Sequence, residues 1–213
     1  MKRYKSRTEF VIEAINRYRP DKNCKYIDIG FVGEYDTPFL HYEILKTLKE
    51  DDFMVGVDIN PKVKELVNDD FIKKYINQSE YKVDDVFNLK ETSLDVVTLL
   101  EVFEHLPHPY LALTQISKNM NKGGVFIMTY PNPLSIKIFL RYIFTRNILD
   151  NQFLTKYRGH HEHKIFPMPP SVINYMQDFG LEVVEIAYLK GKLSKIPFLN
   201  KFSDYIGIVA RKV

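Results

Sequence analysis

The chain has 213 residues, 45% of them hydrophobic, which suits one domain with a sizeable core and excludes a disordered or fibrous chain. Its 30 basic and 27 acidic residues give a formal charge of +3 and are interspersed, so whole-chain electrostatics give no reason to expect a nucleic-acid partner. Cys24 is the only cysteine, which rules out an intrachain disulfide and a multi-thiolate zinc site and fits a reducing, cytoplasmic location.

The amino terminus is basic but leads into Glu9 and Glu13, so it does not read as a signal peptide. Apolar residues then recur at helical spacing from Thr8 to Arg19, and Pro20-Asp21 ends the pattern. Tyr26 to Gly30 reads as a short apolar strand, and Pro38 to Lys49 as a helix. The alternation repeats with a strand at 53–57 and a helix from Pro61, proline being favoured at a first helical position. Leu94 to Leu100 reads as a third apolar strand, Tyr110 to Met120 as a helix stopped by Asn121-Lys122-Gly123-Gly124, and Val125 to Tyr130 as a fourth strand. Such alternation predicts a parallel sheet covered on both faces. Toward the carboxyl end, a helix at 171–179 precedes strands at 181–189 and 205–213. Only a loop, roughly 190 to 204, joins those two strands, whereas a parallel crossover usually carries a helix, so an antiparallel pair is expected.

In open α/β sheets ligands bind beyond the carboxyl ends of the strands, where glycine turns let backbone approach them. Asp28-Ile29-Gly30-Phe31-Val32-Gly33-Glu34 occupies that place, and Asp58 ends the second strand, where a carboxylate accepts hydrogen bonds from both ribose hydroxyls of a nucleoside. Asp58 also fits a second reading, as the start of a helix with Asn60-Pro61.

With Tyr81 to Leu89, the stretch Leu94 to Pro109 and the run Asn121 to Asn132, these motifs resemble, in order, those of class I S-adenosylmethionine-dependent methyltransferases. The stretch containing Glu101-Val102-Phe103-Glu104-His105 resembles the small-molecule enzymes related to quinone biosynthesis. The resemblance covers nearly the whole chain. It departs from the family at Val32 and Glu34, which stand where the second and third glycines usually occur, with Gly33 offset by one.

The resemblance implies an α/β fold: a doubly wound, mostly parallel seven-stranded sheet with an antiparallel C-terminal strand pair, in a single domain over residues 1–213. It implies S-adenosylmethionine as cofactor, held by Asp28, Gly30, Gly33, Asp58, Ile59, Asp85, Val86 and Glu101, with Asp85-Val86 meeting the adenine and Glu101 beside the methionine part. His105 reads as a base candidate or as half of a helix-capping pair with Glu104. His163 matches the histidine that related enzymes carry near the acceptor pocket, and a solvent-exposed role stays open for it.

The segment at about 133–165 is long for a connection and rich in aromatic residues, as expected of a lid over a small-molecule acceptor. A second reading uses 134–158, with Lys137, Arg141 and Arg146, as a homodimer or membrane-surface contact. Within 159–164 only His161 and His163 share a face of an extended chain, so no metal site is expected there without help from elsewhere. Two functional alternatives remain: a scaffold protein of the same fold, and a nicotinamide-dependent oxidoreductase. The second would need the full Gly-x-Gly-x-x-Gly turn, and Glu34 would repel a pyrophosphate.

Overall fold

The structure, a computed structural model, describes residues 4–32, 39–138, 140, 164–165, 167–190 and 199–213. Seven strands, β1 (Lys25–Ile29), β2 (Phe53–Asp58), β3 (Ser79–Val83), β4 (Leu94–Leu100), β5 (Met120–Pro131), β6 (Leu181–Leu189) and β7 (Tyr205–Lys212), form one sheet in the order β3-β2-β1-β4-β5-β7-β6. The neighbours from β3 to β5 are parallel, whereas β7 runs antiparallel to both β5 and β6. The seven-stranded α/β sheet and its antiparallel carboxyl-terminal pair are therefore as the sequence implies.

Period-two alternation divides the core. Ile27 and Ile29 of β1 and Val97 and Leu99 of β4 face a cluster with α4 (Pro109–Asn119) and α5 (Pro169–Asp178). Tyr26 and Val96 face the opposite cluster, built with Phe10, Val11 and Ile15 of α1 (Arg7–Tyr18) and with Ile44 and Leu45 of α2 (Phe39–Leu45). The α1 stripe is capped at Ser6, whose Oγ accepts the Glu9 N–H at 3.0 Å.

Four elements differ from the sequence reading. β3, Ser79-Glu80-Tyr81-Lys82-Val83, is an edge strand whose polar residues hide its alternation, so Leu94–Leu100 is the fourth strand rather than the third. The helix expected from Pro61 is a single turn, α3 (Val63–Leu66), and α2 stops at Leu45. β5 begins at Met120 rather than Val125, because Met120 pairs with Leu94 across a register shift that absorbs the glycine pair. Among the described residues no helix is long and apolar enough to cross a membrane. Residues 141–163, most of the lid-like segment and of the alternative contact surface, lie outside the described residues, as do Gly33 and His163.

Candidate functional site

The chain leaves β1 for β2 and β3 on one side, then returns to β4 on the other. This topological switch opens a crevice at the carboxyl ends of the central strands. Gly30 stands at its lip with φ +74°, and its N–H donates to the Val57 carbonyl at 2.7 Å. A Cβ here would lie 2.3 Å from Val102 Cγ2, so glycine is required by both conformation and space. Phe31 and Val32, the second of which stands where the family usually has a glycine, are buried with Val63 and pack against Leu66 and Tyr81. Their side chains thus leave the outer side of the turn.

Asp58 closes β2 directly opposite. One carboxylate oxygen accepts the Val32 N–H at 2.9 Å and the other the Asn60 N–H at 2.9 Å. Burial raises its carboxyl pKa, and these backbone donors counteract the shift. Each oxygen keeps a second lone pair for further donors. The N-cap position of α3 is Lys62, which makes no side-chain cap bond, and Asp58 instead closes the preceding turn through Asn60. Ile59, next along the chain, is 72% exposed.

Asp85 caps the short turn Val86–Asn88 by accepting the Phe87 N–H at 3.1 Å, and Val86 is buried beneath it. Asp84 is tied to the second loop through its N–H, which donates to the Asp58 carbonyl at 3.1 Å. A cavity of about 840 Å³ lies along the β3 edge of the sheet, lined by residues including Val57, Val63, Lys64, Lys82, Asp84 and Glu91, and it does not include Gly30, Asp58, Asp85 or Glu101.

Asp28 lies deeper. Thr98 Oγ1 donates to one of its oxygens at 2.6 Å, and His41 Nδ1 lies 2.7 Å from the other. Both oxygens are engaged within the protein, and Asp28 is buried at 2% exposure.

Beyond β4, Glu101 adopts φ +59°, a sparsely populated conformation for a non-glycine residue that concentrates at functional sites. Its carboxylate pairs with Arg7, the first residue of α1, at 3.1 Å, and the Arg7 guanidinium also sits 4.6 Å from the centre of the Tyr205 ring. Burial raises the Glu101 pKa, opposed mainly by Arg7. Glu104 is 1% exposed, and its Oε2 has no hydrogen-bond partner among the described residues. Burial, reinforced by repulsion from Glu101, pushes its carboxyl well above the usual range. His105 Nε2 lies 3.9 Å from Glu104 Oε1, and the imidazole is partly exposed. The chain re-enters beside this pair at Lys164, whose N–H donates to the Glu104 carbonyl at 2.7 Å.

Tyr130 OH, near the end of β5, is likewise buried without a partner among the described residues, and the neighbouring Thr129 hydroxyl helps to oppose the rise in the Glu101 pKa. The sequence reading missed Arg7 and His41. Arg7 had a usable local signal, since Ser6-Arg7-Thr8-Glu9 is a helix-capping pattern that fixes the start of α1. His41 had none, because its partners lie on other elements.

A family model described as a methyltransferase domain matches residues 4–186, and the chain belongs to that family, a class of S-adenosylmethionine-dependent enzymes. Ubiquinone biosynthesis O-methyltransferases of Azoarcus sp. (strain BH72) and Cupriavidus pinatubonensis (strain JMP 134 / LMG 1197) are 27% and 25% identical over 56% and 70% of this chain. The chain spans 50% and 59% of their respective lengths. A solved S-adenosylmethionine-dependent methyltransferase from Clostridium acetobutylicum ATCC 824 superposes with a TM-score of 0.62 at 13% identity, covering 96% of this chain and 90% of that one, which shows a shared fold. The oxidoreductase alternative gains no support from these relatives.

Proposed function

We propose that this chain transfers the methyl group of S-adenosylmethionine to an oxygen of a small-molecule acceptor. The observation that carries the reading is the pairing of Gly30 with Asp58 at adjacent strand ends: a turn with no room for a side chain, facing a carboxylate that its own backbone donors orient. Asp58 would accept the ribose hydroxyls, Ile59, Asp85 and Val86 would enclose the adenine, and Glu101 and Arg7 would meet the ammonium and carboxylate of the methionine end. This donor set is acidic where a sulfonium compound is positive, and it offers no phosphate cradle.

When bound, the cofactor supplies a methyl group already activated for in-line displacement. The contribution of the chain is orientation and exclusion of water, which together supply about 7–11 kcal/mol in well-aligned systems. An oxygen acceptor must lose its proton as the new bond forms. His105, whose imidazole is partly exposed, is the candidate base. His163 is a second candidate by its place in the sequence, and Gly33 would extend the cofactor turn. The acceptor class rests on the names of the curated relatives at low identity.

Calorimetry with S-adenosylhomocysteine and incubation of a catechol and phenol panel with a deuterated methyl donor test this reading. Micromolar binding and a mass increase on an acceptor oxygen are expected. Absence of binding at millimolar ligand would leave the scaffold alternative.

A further inference from the structure

We propose that His41 is a positioning residue for the cofactor turn, doing by side-chain clamping what the missing glycines do by conformational freedom. The proposal rests on the reading that residues 30–32 cradle the cofactor.

Strand register builds the slot. Thr98, Asp28, Gly56 and Tyr81 are direct neighbours across β4, β1, β2 and β3, so they form one row on the face covered by α1 and α2. Gly56 leaves a gap in that row: a Cβ there would lie 2.7 Å from Tyr81 and 3.0 Å from Phe31. The His41 ring, on α2 and 1% exposed, spans from Asp28 to Tyr81. Its Nδ1 lies 2.7 Å from Asp28 Oδ2 and its Nε2 3.1 Å from Tyr81 OH. A carboxylate only accepts, so Nδ1 carries the proton toward Asp28, while Nε2 and the Tyr81 hydroxyl, which can each serve either role, complete the second bond. Every polar atom of the ring is satisfied, as burial demands.

The row holds the turn from below. The Phe31 ring lies on His41 with centroids 4.6 Å apart and on Tyr81 at 5.4 Å, which fixes the side chain of the first residue after Gly30. The next residue, Val32, is fixed through its backbone N–H by Asp58. Two successive residues are therefore clamped, one by its ring and one by its main chain, and the second clamp is the proposed ribose carboxylate itself. Loss of His41 would free Phe31 and leave the buried Asp28 carboxylate with Thr98 as its one side-chain hydrogen-bond partner among the described residues, next to a second carboxylate at Asp58.

The test uses the full chain. In the free protein, nitrogen-detected NMR of the histidine side chains should show one ring protonated at Nδ1 and shielded from solvent exchange. His41→Ala should weaken S-adenosylhomocysteine binding by about tenfold or more, as loss of a charge-assisted anchor implies. It should raise the KM for the methyl donor more than it lowers kcat. His41→Asn, whose amide still reaches Asp28, should recover most of the affinity. In an Asp28→Asn background, His41→Ala should cost much less, because the clamp acts through Asp28. If His41→Ala fails to fold, Phe31→Leu and Tyr81→Phe take its place, each expected to weaken binding several-fold. Unchanged affinity in a folded His41→Ala protein, or in both substitutes, with only a lower melting temperature, would show a core histidine and overturn the proposal. A wild-type protein that binds no S-adenosylhomocysteine overturns the cofactor reading itself, a different result from wild-type binding that His41→Ala leaves intact.

Discussion

Arg7 and Glu101 meet at 3.1 Å although one opens the first helix and the other follows the fourth strand. The contact requires α1 to pack with its amino terminus at the carboxyl edge of the sheet, and it sets one cation and one carboxylate side by side where an amino-acid zwitterion would be matched. In the free protein the two neutralise each other.

Replacing Arg7 by Leu should therefore do more than remove a surface charge. The proposed carboxylate contact is lost and Glu101 loses its counter-ion, so affinity for S-adenosylhomocysteine should fall by about tenfold, the scale of a lost charge-assisted hydrogen bond. Calorimetry checks this. Folding stability should change by less than about 1 kcal/mol, because the pair is partly exposed. Equal affinity in the two proteins would remove Arg7 from the site.

Gly30→Ala should be costly for two separable reasons. Positive φ costs a non-glycine residue about 1–2 kcal/mol, and the new methyl meets Val102 at 2.3 Å. Adding Val102→Ala should restore part of the stability measured by denaturant unfolding, the part due to contact, while the conformational cost remains. Equal stability of Gly30→Ala and the wild-type protein would contradict the turn geometry.

Glu104 makes stability depend on pH in a stated direction. Its folded-state pKa lies above the unfolded value, because burial and Glu101 disfavour the charged form. Its contribution is therefore fully present below the ordinary carboxylate pKa and is lost as pH rises through the folded-state value. Glu104→Gln keeps the shape without the charge. It should raise the melting temperature at alkaline pH and leave it nearly unchanged in acid, so the two curves should converge as pH falls. Parallel curves across that range would mean that Glu104 does not titrate as proposed.

At the opposite end of the sheet, Arg19 and Asp52 form a bidentate buried pair at 2.7 and 2.9 Å. Burial alone would raise the Asp52 pKa, but the Arg19 bonds and the N–H groups of Lys49 and Cys24 outweigh it and hold the carboxyl below its ordinary value. The sign is the reverse of Glu104: this stability is present above the unfolded pKa and lost as pH falls through the folded one. Arg19→Ala leaves the carboxylate buried and should cost about 3–5 kcal/mol, with cofactor affinity unchanged at temperatures where the protein stays folded. Thermal unfolding from pH 7 downward measures both effects.

Periodicity and turn chemistry alone defined six of the seven strands and the placement of Gly30 and Asp58 at strand ends, because each is written in a short run of consecutive residues. The connection between the last two strands gave their antiparallel pairing. β3 escaped that reading: an edge strand exposes half its side chains, and Ser79 to Val83 carries a glutamate and a lysine where a central strand would carry aliphatics. The short α3 and the early start of β5 also depended on neighbours, the latter on the pairing of Met120 with Leu94. The side-chain partnerships of the site were decided only by tertiary structure. Asp28 reads locally as a motif residue facing a ligand, yet strand register sets it beside Thr98 and α2 brings His41 over Gly56, turning it inward. Hydrogen-bond partners are chosen by which elements become neighbours in the sheet and its covering helices, and that choice has no period for a single segment to display.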